Sequence, residues 1–503
     1  MAKKLTATVV GGGVSGMTAA LILARFGHEV TLVERSPVLG LTVRGFSRDG
    51  VYFDTGLHRT GGLGENGPFT QYLKFLGLGD LPVVWYEEDA FETVRFGNQG
   101  RDIALPVGYE ATKQRLHSLF PDEKQGIDAY LDAVRRVYNS APFIHEATDI
   151  RAAFAEEDAY DTFEGFVNSR VRDPILRAVF SAYSMLLGYS PKEVSFLQHA
   201  RVMASAIDSA ATFAGGGAAL ADGFARRLEE AGVRIITGNG VSRVNFSSGG
   251  SIEGVTLDSG DMFDADTVIY TGHPYYLLNI VHDGVFAPVF TRYLRTPAET
   301  PSAYMLFGVS DKPLFPNNGC NLFYCRDTDF SSVFSPAHNP LEGPFHITTR
   351  PGTGLPRGKR MIEAAGEGYA VTAIMAGSFA SYLRWKDTRS GERGPRYAEF
   401  KAEKLDEFRE ALYVACPETA SVRFLDGATP LTFRDYTHSP SGSVYGRKHT
   451  LMQHNPQPAT RVPGLWLAGQ SIVAPGVLGA VISAFLTCGF IVGAEELHAE
   501  LNR

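Results

Sequence analysis

Apolar and polar positions change their period several times along the chain, and each change marks an element. Residues 6–10, TATVV, are small and β-branched and predict a short buried strand. Residues 17–26 are rich in Ala and Leu at helical spacing, and Gly27 follows where glycine commonly closes a helix. HEVTLV at 28–33 then predicts a second strand, ending at Glu34. FSRDGVYFD at 46–54 predicts a hairpin turning at Asp49-Gly50. YEATKQRLHSLF (109–120) and GIDAYLDAVRRVY (126–138) place apolar residues three to four apart, so 109–190 reads as largely helical. Residues 224–231 are amphipathic, Gly232 stops them, and VRIITGNGVSRV (233–244) gives a strand and a turn. SIEGVTLD (251–258) and MFDADTVIY (262–270) read as strands, as do PSAYMLFGVS (301–310) and CNLFYC (320–325). A helix is expected over 397–417, and loops near 140 and over 335–358. No internal repeat or low-complexity segment interrupts this order.

Between the first strand and first helix stands Gly11-x-Gly13-x-x-Gly16, which encloses Val14 and Ser15. The succession of strand, glycine loop, helix, strand and acid is that of a dinucleotide-binding βαβ unit. Gly11 permits the tight turn, Gly13 lets the backbone approach a pyrophosphate, and Gly16 lets helix and strand pack closely. The helix N-terminus adds partial positive charge. Glu34 stands where a carboxylate bonds ribose hydroxyls and disfavours a 2′-phosphate, so FAD or NAD is expected here, not NADP.

The next stretch, RSPVLGLTVRGFSRDGVYFDTGLHRTGG (35–62), has no second crossover helix of the kind an NAD dehydrogenase would normally continue with. It offers a loop with Arg44, the hairpin and a glycine-rich segment instead. Near the other end, GLWLAGQSIVAPGVL (464–478) reads as a buried strand, a turn and the start of a small-residue helix. Gly464 to Ala494 is the one long apolar run, but Gln470, Pro475 and its glycines favour a buried strand and helix over a lipid-spanning segment.

With these segments the chain resembles the flavin-dependent family of carotenoid desaturases, carotenoid isomerases and retinol saturases, relatives of the amine oxidases. The resemblance rests on the N-terminal glycines with Glu34, on FDTGLH (53–58), on 215–244 and on GLWLAGQSIVAPGVLGAVISA (464–484). GATPLTFRDYTHSPSGSVYGRKH (427–449) looks most like the saturase and isomerase branch, as does Gln470 where desaturases usually carry Asp. The chain departs from the pattern at Leu41, where a second glycine is common. The resemblance implies an α/β fold: a Rossmann-type FAD-binding domain from residues 1–82, 195–278 and 426–503, and a discontinuous α+β substrate domain from 83–194 and 279–425. It implies FAD held by Gly11, Gly13, Val14, Ser15, Gly16, Glu34, Arg35, Arg44, Thr55, Gly56, Val241, Gly469, Gln470, Gly476, Val477 and Leu478. Arg44 is read as neutralising a phosphate or facing the flavin.

Composition narrows the rest. A chain of 503 residues suggests two or three domains, and its net charge of −8 argues against a nucleic-acid partner. Four cysteines without a CxxC pair indicate neither zinc nor disulfides, and point to a reducing, cytoplasmic setting with peripheral membrane contact left open. No metal site is expected. With 33 Phe and 21 Tyr, an apolar tunnel for a small-molecule substrate is the functional reading of the aromatics, beside plain core packing. No Ser-His-Asp order, HExxH or carboxylate pair stands out. Flavin chemistry on carbon–carbon bonds needs little such machinery, because the cofactor carries the hard step. The catalytic candidates are His58, Arg59 and Tyr445, any of which can act as the one general acid a reduction requires. Asp54 reads as a turn-capping carboxylate and His273 as a loop histidine. A second nucleotide motif is missing, so electrons come from or go to an external NAD(P)H, quinone or redox protein. The expected activity is saturation, desaturation or isomerisation of an isoprenoid or polyene. Amine-type C–N oxidation, polyene cyclisation and a non-catalytic escort role are the alternatives.

Overall fold

The computed structural model describes residues 5–140, 161–296, 298–315, 321–335, 338–351, 368–453 and 455–503. Two sheets organise it, each gathering strands from distant parts of the chain. In the first, β1 (Thr6–Val10) lies between the strand Thr267–Tyr270 and β2 (Glu29–Glu34). Arg234–Thr237 extends the sheet beyond β2, and Leu465–Leu467 extends it beyond Thr267–Tyr270. All four pairings are parallel, and Val10 aligns with Val33 on one side and Tyr270 on the other. The crossover between β1 and β2 is α1 (Val14–Arg25), which begins three residues earlier than its Ala/Leu pattern implies because Val14 to Gly16 form its first turn. A late helix, Gly476–Val492, packs on α1. Val9, Met17, Ile22, Leu32, Ile269 and Phe485 are buried in the shared core. The long apolar run near the C-terminus is therefore a strand and a helix. No helix of the described residues is long and apolar enough to cross a membrane.

The stretch 262–270 does not form the single strand its pattern suggests. Met262–Asp264 joins an antiparallel sheet with Val241–Phe246 and Ile252–Leu257, whereas Thr267–Tyr270 joins the parallel sheet. Asp266 makes the break: its carboxylate accepts from the backbone N–H and the hydroxyl of Thr6, each at 2.9 Å.

The second large sheet has seven strands, in the order Arg423–Ala428, Ser302–Ser310, Tyr369–Gly377, Phe345–Pro351, Asn321–Cys325, Glu92–Phe96 and Arg101–Leu105. Only Asn321–Cys325 and Glu92–Phe96 run parallel. Phe345–Pro351 corrects the reading of 335–358 as a loop. Its backbone is paired on both sides, which an interior strand requires, and Phe345 and Ile347 are fully buried. Residues 336–337 and 352–358 of that stretch, and 141–160 beside the other expected loop, lie outside the described residues. Helices including Lys124–Ser140, Pro174–Ser181 and Phe196–Asp208 build an aromatic core. In it Tyr130 stacks on Phe180 with ring centres 4.0 Å apart.

The hairpin Phe46–Arg48/Val51–Phe53 turns through Asp49 (φ +51°) and Gly50 (φ +77°), the left-handed pair that an Asp-Gly turn accommodates. Its Phe46 and Phe53 rings meet Phe307 of the seven-stranded sheet at 4.9 and 5.7 Å. Phe53 and Phe307 are buried and contribute about 2–3 kcal/mol each, and with the half-buried Phe46 they fix where residues 54–59 emerge.

Candidate functional site

The glycine loop is shaped by close approach. Gly11 has φ +110°, and a Cβ there would lie 2.4 Å from the Thr271 hydroxyl oxygen. A Cβ on Gly16 would sit 1.8 Å from the Gly11 carbonyl oxygen, so any side chain would part α1 from β1. Gly13 is different: nothing lies within 4 Å of its Cβ position, and the loop faces open space. Beyond it, α1 starts without a side-chain cap and with no acid in its first turn, leaving its free N–H groups and positive dipole end to an anion. The Ser15 hydroxyl is buried with no hydrogen-bond partner among the described residues. At the end of β2, Glu34 is held across the loop, accepting from Gly12 N at 2.5 Å and Ser36 N at 2.7 Å. Arg35 beside it is exposed, and Val241 opens its strand half-buried.

The late helix offers a second uncapped start. Pro475 precedes it, and Gly476 (φ +82°) has nothing within 4 Å of its Cβ position. Val477 and Leu478 complete that first turn. Gly469 has φ +118°, and the Gln470 carbonyl accepts from His449 Nε2 at 2.7 Å. Asn455 Nδ2 lies 2.9 Å from His449 Nδ1, which fixes the tautomer with its proton on Nε2. Thr55 donates to the Arg44 carbonyl at 3.3 Å, and a Cβ on Gly56 would lie 2.2 Å from the Thr42 carbonyl oxygen, so the two loops run against each other. The Arg44 guanidinium bonds Asp222 at 2.8 Å and the Leu39 carbonyl at 3.2 Å. An open glycine, two helix starts with free N–H donors and an acceptor carboxylate at a strand end fit a dinucleotide such as FAD.

Following the hairpin, Asp54 accepts from Gly217 N at 2.9 Å at the start of the helix Gly216–Glu230, and pairs with the buried Arg350. Its reading as a capping carboxylate therefore gains a buried cation as well. Arg350 also donates to the Leu57 carbonyl at 3.2 Å, while Tyr86 donates to the His58 carbonyl at 3.0 Å. Arg59 points into the interior, forms an ion pair with the fully buried Glu92, and lies over the rings of Phe91 and Phe323 at 5.6 and 6.0 Å. The His346 ring lies tilted against Phe323, with ring centres 4.5 Å apart.

This cluster brings His58, Arg59 and Tyr445 into one electrostatic neighbourhood with Glu92, Tyr183 and His346. Burial lowers His58 to about 4, helped by Arg350, so its imidazole is neutral at pH 7. Burial works against the charge of Arg59, but Glu92, Tyr183 and Tyr86 together more than offset it and the guanidinium stays ionised. Burial raises Glu92 to about 7 although Arg59 and Tyr183 pull it down. Tyr445 is raised by burial, and Tyr183 well above its usual range. His346 is pushed down by burial and by Arg59 and His58. His273 sits elsewhere in role: its Nδ1 accepts from Tyr275 N at 3.2 Å as a helix cap, and its Nε2 meets Glu299 at 3.1 Å.

Glu92, Tyr183, His346 and Arg350 were not singled out from the sequence. For Glu92 a signal existed, because the period of two in ETVRF places it on the same buried face as Val94 and Phe96. An acid on such a face needs a cationic partner.

A family model described as flavin containing amine oxidoreductase matches residues 14–355, more than half of the chain. The chain belongs to the flavin-containing amine oxidoreductase family. Within the range of this flavin-containing family, all-trans-retinol 13,14-reductase of Danio rerio is 23% identical over 99% of this chain and 87% of its own length. Hydroxyneurosporene desaturase of Rubrivivax gelatinosus is 23% identical over 98% and 93%. Among solved structures, an oxidoreductase of Methanosarcina mazei superposes with a TM-score of 0.66 at 17% identity, covering 95% of this chain and 98% of its own. That likeness shows the Rossmann-type α/β fold.

Proposed function

We propose that this flavin-containing amine oxidoreductase family member is an FAD-dependent oxidoreductase acting on a carbon–carbon bond of an apolar polyene or isoprenoid. The observation that carries the reading is the combination of open space at Gly13 and at Gly476, each at an uncapped helix start, with near full-length similarity to a retinol reductase and a hydroxyneurosporene desaturase. FAD, when bound, supplies the two-electron exchange with carbon. The residues that would hold it are Gly11, Gly13, Val14, Ser15 and Gly16 at the pyrophosphate, and Glu34, Arg35 and Val241 at the adenosine. Arg44, Thr55, Gly56, Gly469, Gln470, Gly476, Val477 and Leu478 would hold the rest. Segments 1–82, 195–278 and 426–503 would form the cofactor part and the remainder the substrate part.

In this reading the chain's own groups manage a single proton and exclude water. Arg59 is a fixed positive charge, unsuited to giving up a proton at neutral pH but able to stabilise negative charge that develops on carbon. His58 is neutral and offers an N–H. Glu92, raised to about 7, holds a proton in a substantial fraction of molecules at neutral pH, and with the Tyr183 and Tyr445 hydroxyls it is suited to deliver or receive one. The electron partner is an external nicotinamide, quinone or redox protein, and the substrate an apolar small molecule.

The test is anaerobic photoreduction of the holoprotein followed by mixing with retinoids, carotenoid precursors and amines. Reoxidation of the reduced flavin by a polyene, or reduction of the oxidised flavin by a polyene, supports the reading. Reduction of the oxidised flavin by amines alone overturns the substrate class.

A further inference from the structure

A cavity of about 580 Å³ lies between the hairpin 46–53, the edge of the seven-stranded sheet, and the helices Pro395–Ala415 and Pro430–Thr437. Phe46, Met305, Phe307 and Phe433 give it an apolar wall. Its charged lining is unbalanced: Arg44, Arg48, Arg393 and Lys401 stand against the single carboxylate of Asp426.

The pairings of these groups leave positive charge in excess. Arg44 is matched by Asp222. Asp426 serves two cations: Arg48 at 2.5 Å and Lys401 at 4.0 Å. The Asp426 oxygen nearer to Lys401 also accepts from Gly427 N at 2.8 Å. Asp435, outside the lining, likewise serves two, pairing with Arg393 and bonding Arg434 at 2.7 Å. Asp49 also acts on Arg48 but is itself paired with Arg423 at 3.3 Å, so among the described residues three carboxylates serve five cations and Lys401 reaches no hydrogen-bond partner of its own. Its ammonium is disfavoured by burial and by Arg393 and Arg48, with only Asp426 opposing. A half-buried ammonium at the mouth of an apolar chamber, with surplus positive charge around it, is stabilised by an incoming anion.

We propose that this cavity receives the anionic oxyacid head, carboxylate or phosphate, of an amphipathic ligand whose apolar chain lies along Phe46, Met305, Phe307 and Phe433. This rests on the polyene reading above and refines it: the substrate is an apolar chain ended by an acid, not a bare hydrocarbon or an alcohol. Lys401 and Arg48 are the residues that select it, as charge-assisted partners of the head.

The experiment uses holoprotein and matched ligand pairs differing only in the head. Retinoate is compared with retinol, and hexadecanoate with hexadecanol, by equilibrium binding. Charged hydrogen bonds predict that each acid binds roughly 10- to 100-fold tighter than its alcohol. Lys401→Met narrows that ratio towards one, Lys401→Arg restores much of it, and Lys404→Met, on the same helix but paired with Glu407, keeps it. Prenyl monophosphate binding tighter than the acids assigns the site to phosphate, and weaker binding assigns it to carboxylate. Equal affinity for acid and alcohol in the wild type, or a Lys401→Met effect equal on both, overturns the proposal. The saturated pair separates this from the polyene reading. Preference for hexadecanoate with no polyene oxidised or reduced keeps the head site and removes the polyene. Turnover of retinol without any acid preference does the reverse.

Discussion

Arg59 and Glu92 form an ion pair in an interior where the carboxylate is wholly enclosed and the guanidinium lies over the rings of Phe91 and Phe323. Enclosure raises Glu92 to about 7 against the pull of Arg59. The folded protein therefore holds a proton on Glu92 between the ordinary carboxylate value and about pH 7, where the unfolded chain has released it. The stabilising contribution is complete below that window and is lost as pH rises through it. Urea unfolding at pH 5 and pH 7.5 is expected to show wild type losing stability relative to Glu92→Gln as pH rises. Parallel curves would mean that the pair stays ionised throughout.

Asp54 supports two elements at once, the start of the Gly216–Glu230 helix and the buried Arg350. Asp54→Ala leaves Arg350 uncompensated, a loss of about 3–5 kcal/mol. Replacing both with apolar residues, Asp54→Leu with Arg350→Met, is expected to recover a large part of it. Denaturant midpoints check this, and a double variant as unstable as the single one would show that the charge is not the issue.

The two glycines of the loop separate folding from cofactor binding. Gly16→Ala forces a Cβ against the Gly11 carbonyl and is expected to cost about 1–3 kcal/mol of stability. Gly13→Ala has room within the protein and an ordinary φ of −73°, so the apoprotein should melt close to wild type. Its new methyl group projects into the space assigned to the pyrophosphate, and FAD affinity should fall about tenfold or more. Fluorimetric FAD titration alongside thermal melts reads both. Undiminished FAD affinity in Gly13→Ala would move the cofactor away from this loop.

Buried histidines set the acid side of stability. Burial lowers His199 to about 3 and His449 to about 4. The unfolded chain takes up these protons near pH 6.5 while the folded one does not, so their stabilisation is present above that pH and lost as pH falls towards 4. His449→Gln should show a shallower loss between pH 6.5 and 4.5 than wild type. An identical slope would place the His449 proton uptake outside that range.

The parallel-sheet part was legible because local rules decide it: β-branched strands, glycines forced by contact, and an acid ending β2. What the sequence hid depends on long-range packing. The break at Asp266 comes from a hydrogen bond to Thr6, far away in the chain, and no local period announces it. The strand Phe345–Pro351 lay inside a Pro- and Gly-rich stretch, and only its neighbours on both sides make it a strand. His58 and Arg59 were visible from their motif, whereas Glu92, Tyr183 and His346 reach them from three separate elements. Their charges and hydroxyls acquire meaning only once the fold has removed water from around them.

The most direct test is mass spectrometry of a polyene after a single turnover with stoichiometric holoprotein. The expected product differs from the substrate by two hydrogens, or is an isomer of unchanged mass, and the flavin released on denaturation is FAD. A colourless protein that takes up no FAD, or one that leaves polyenes untouched while converting amines to aldehydes, would contradict it.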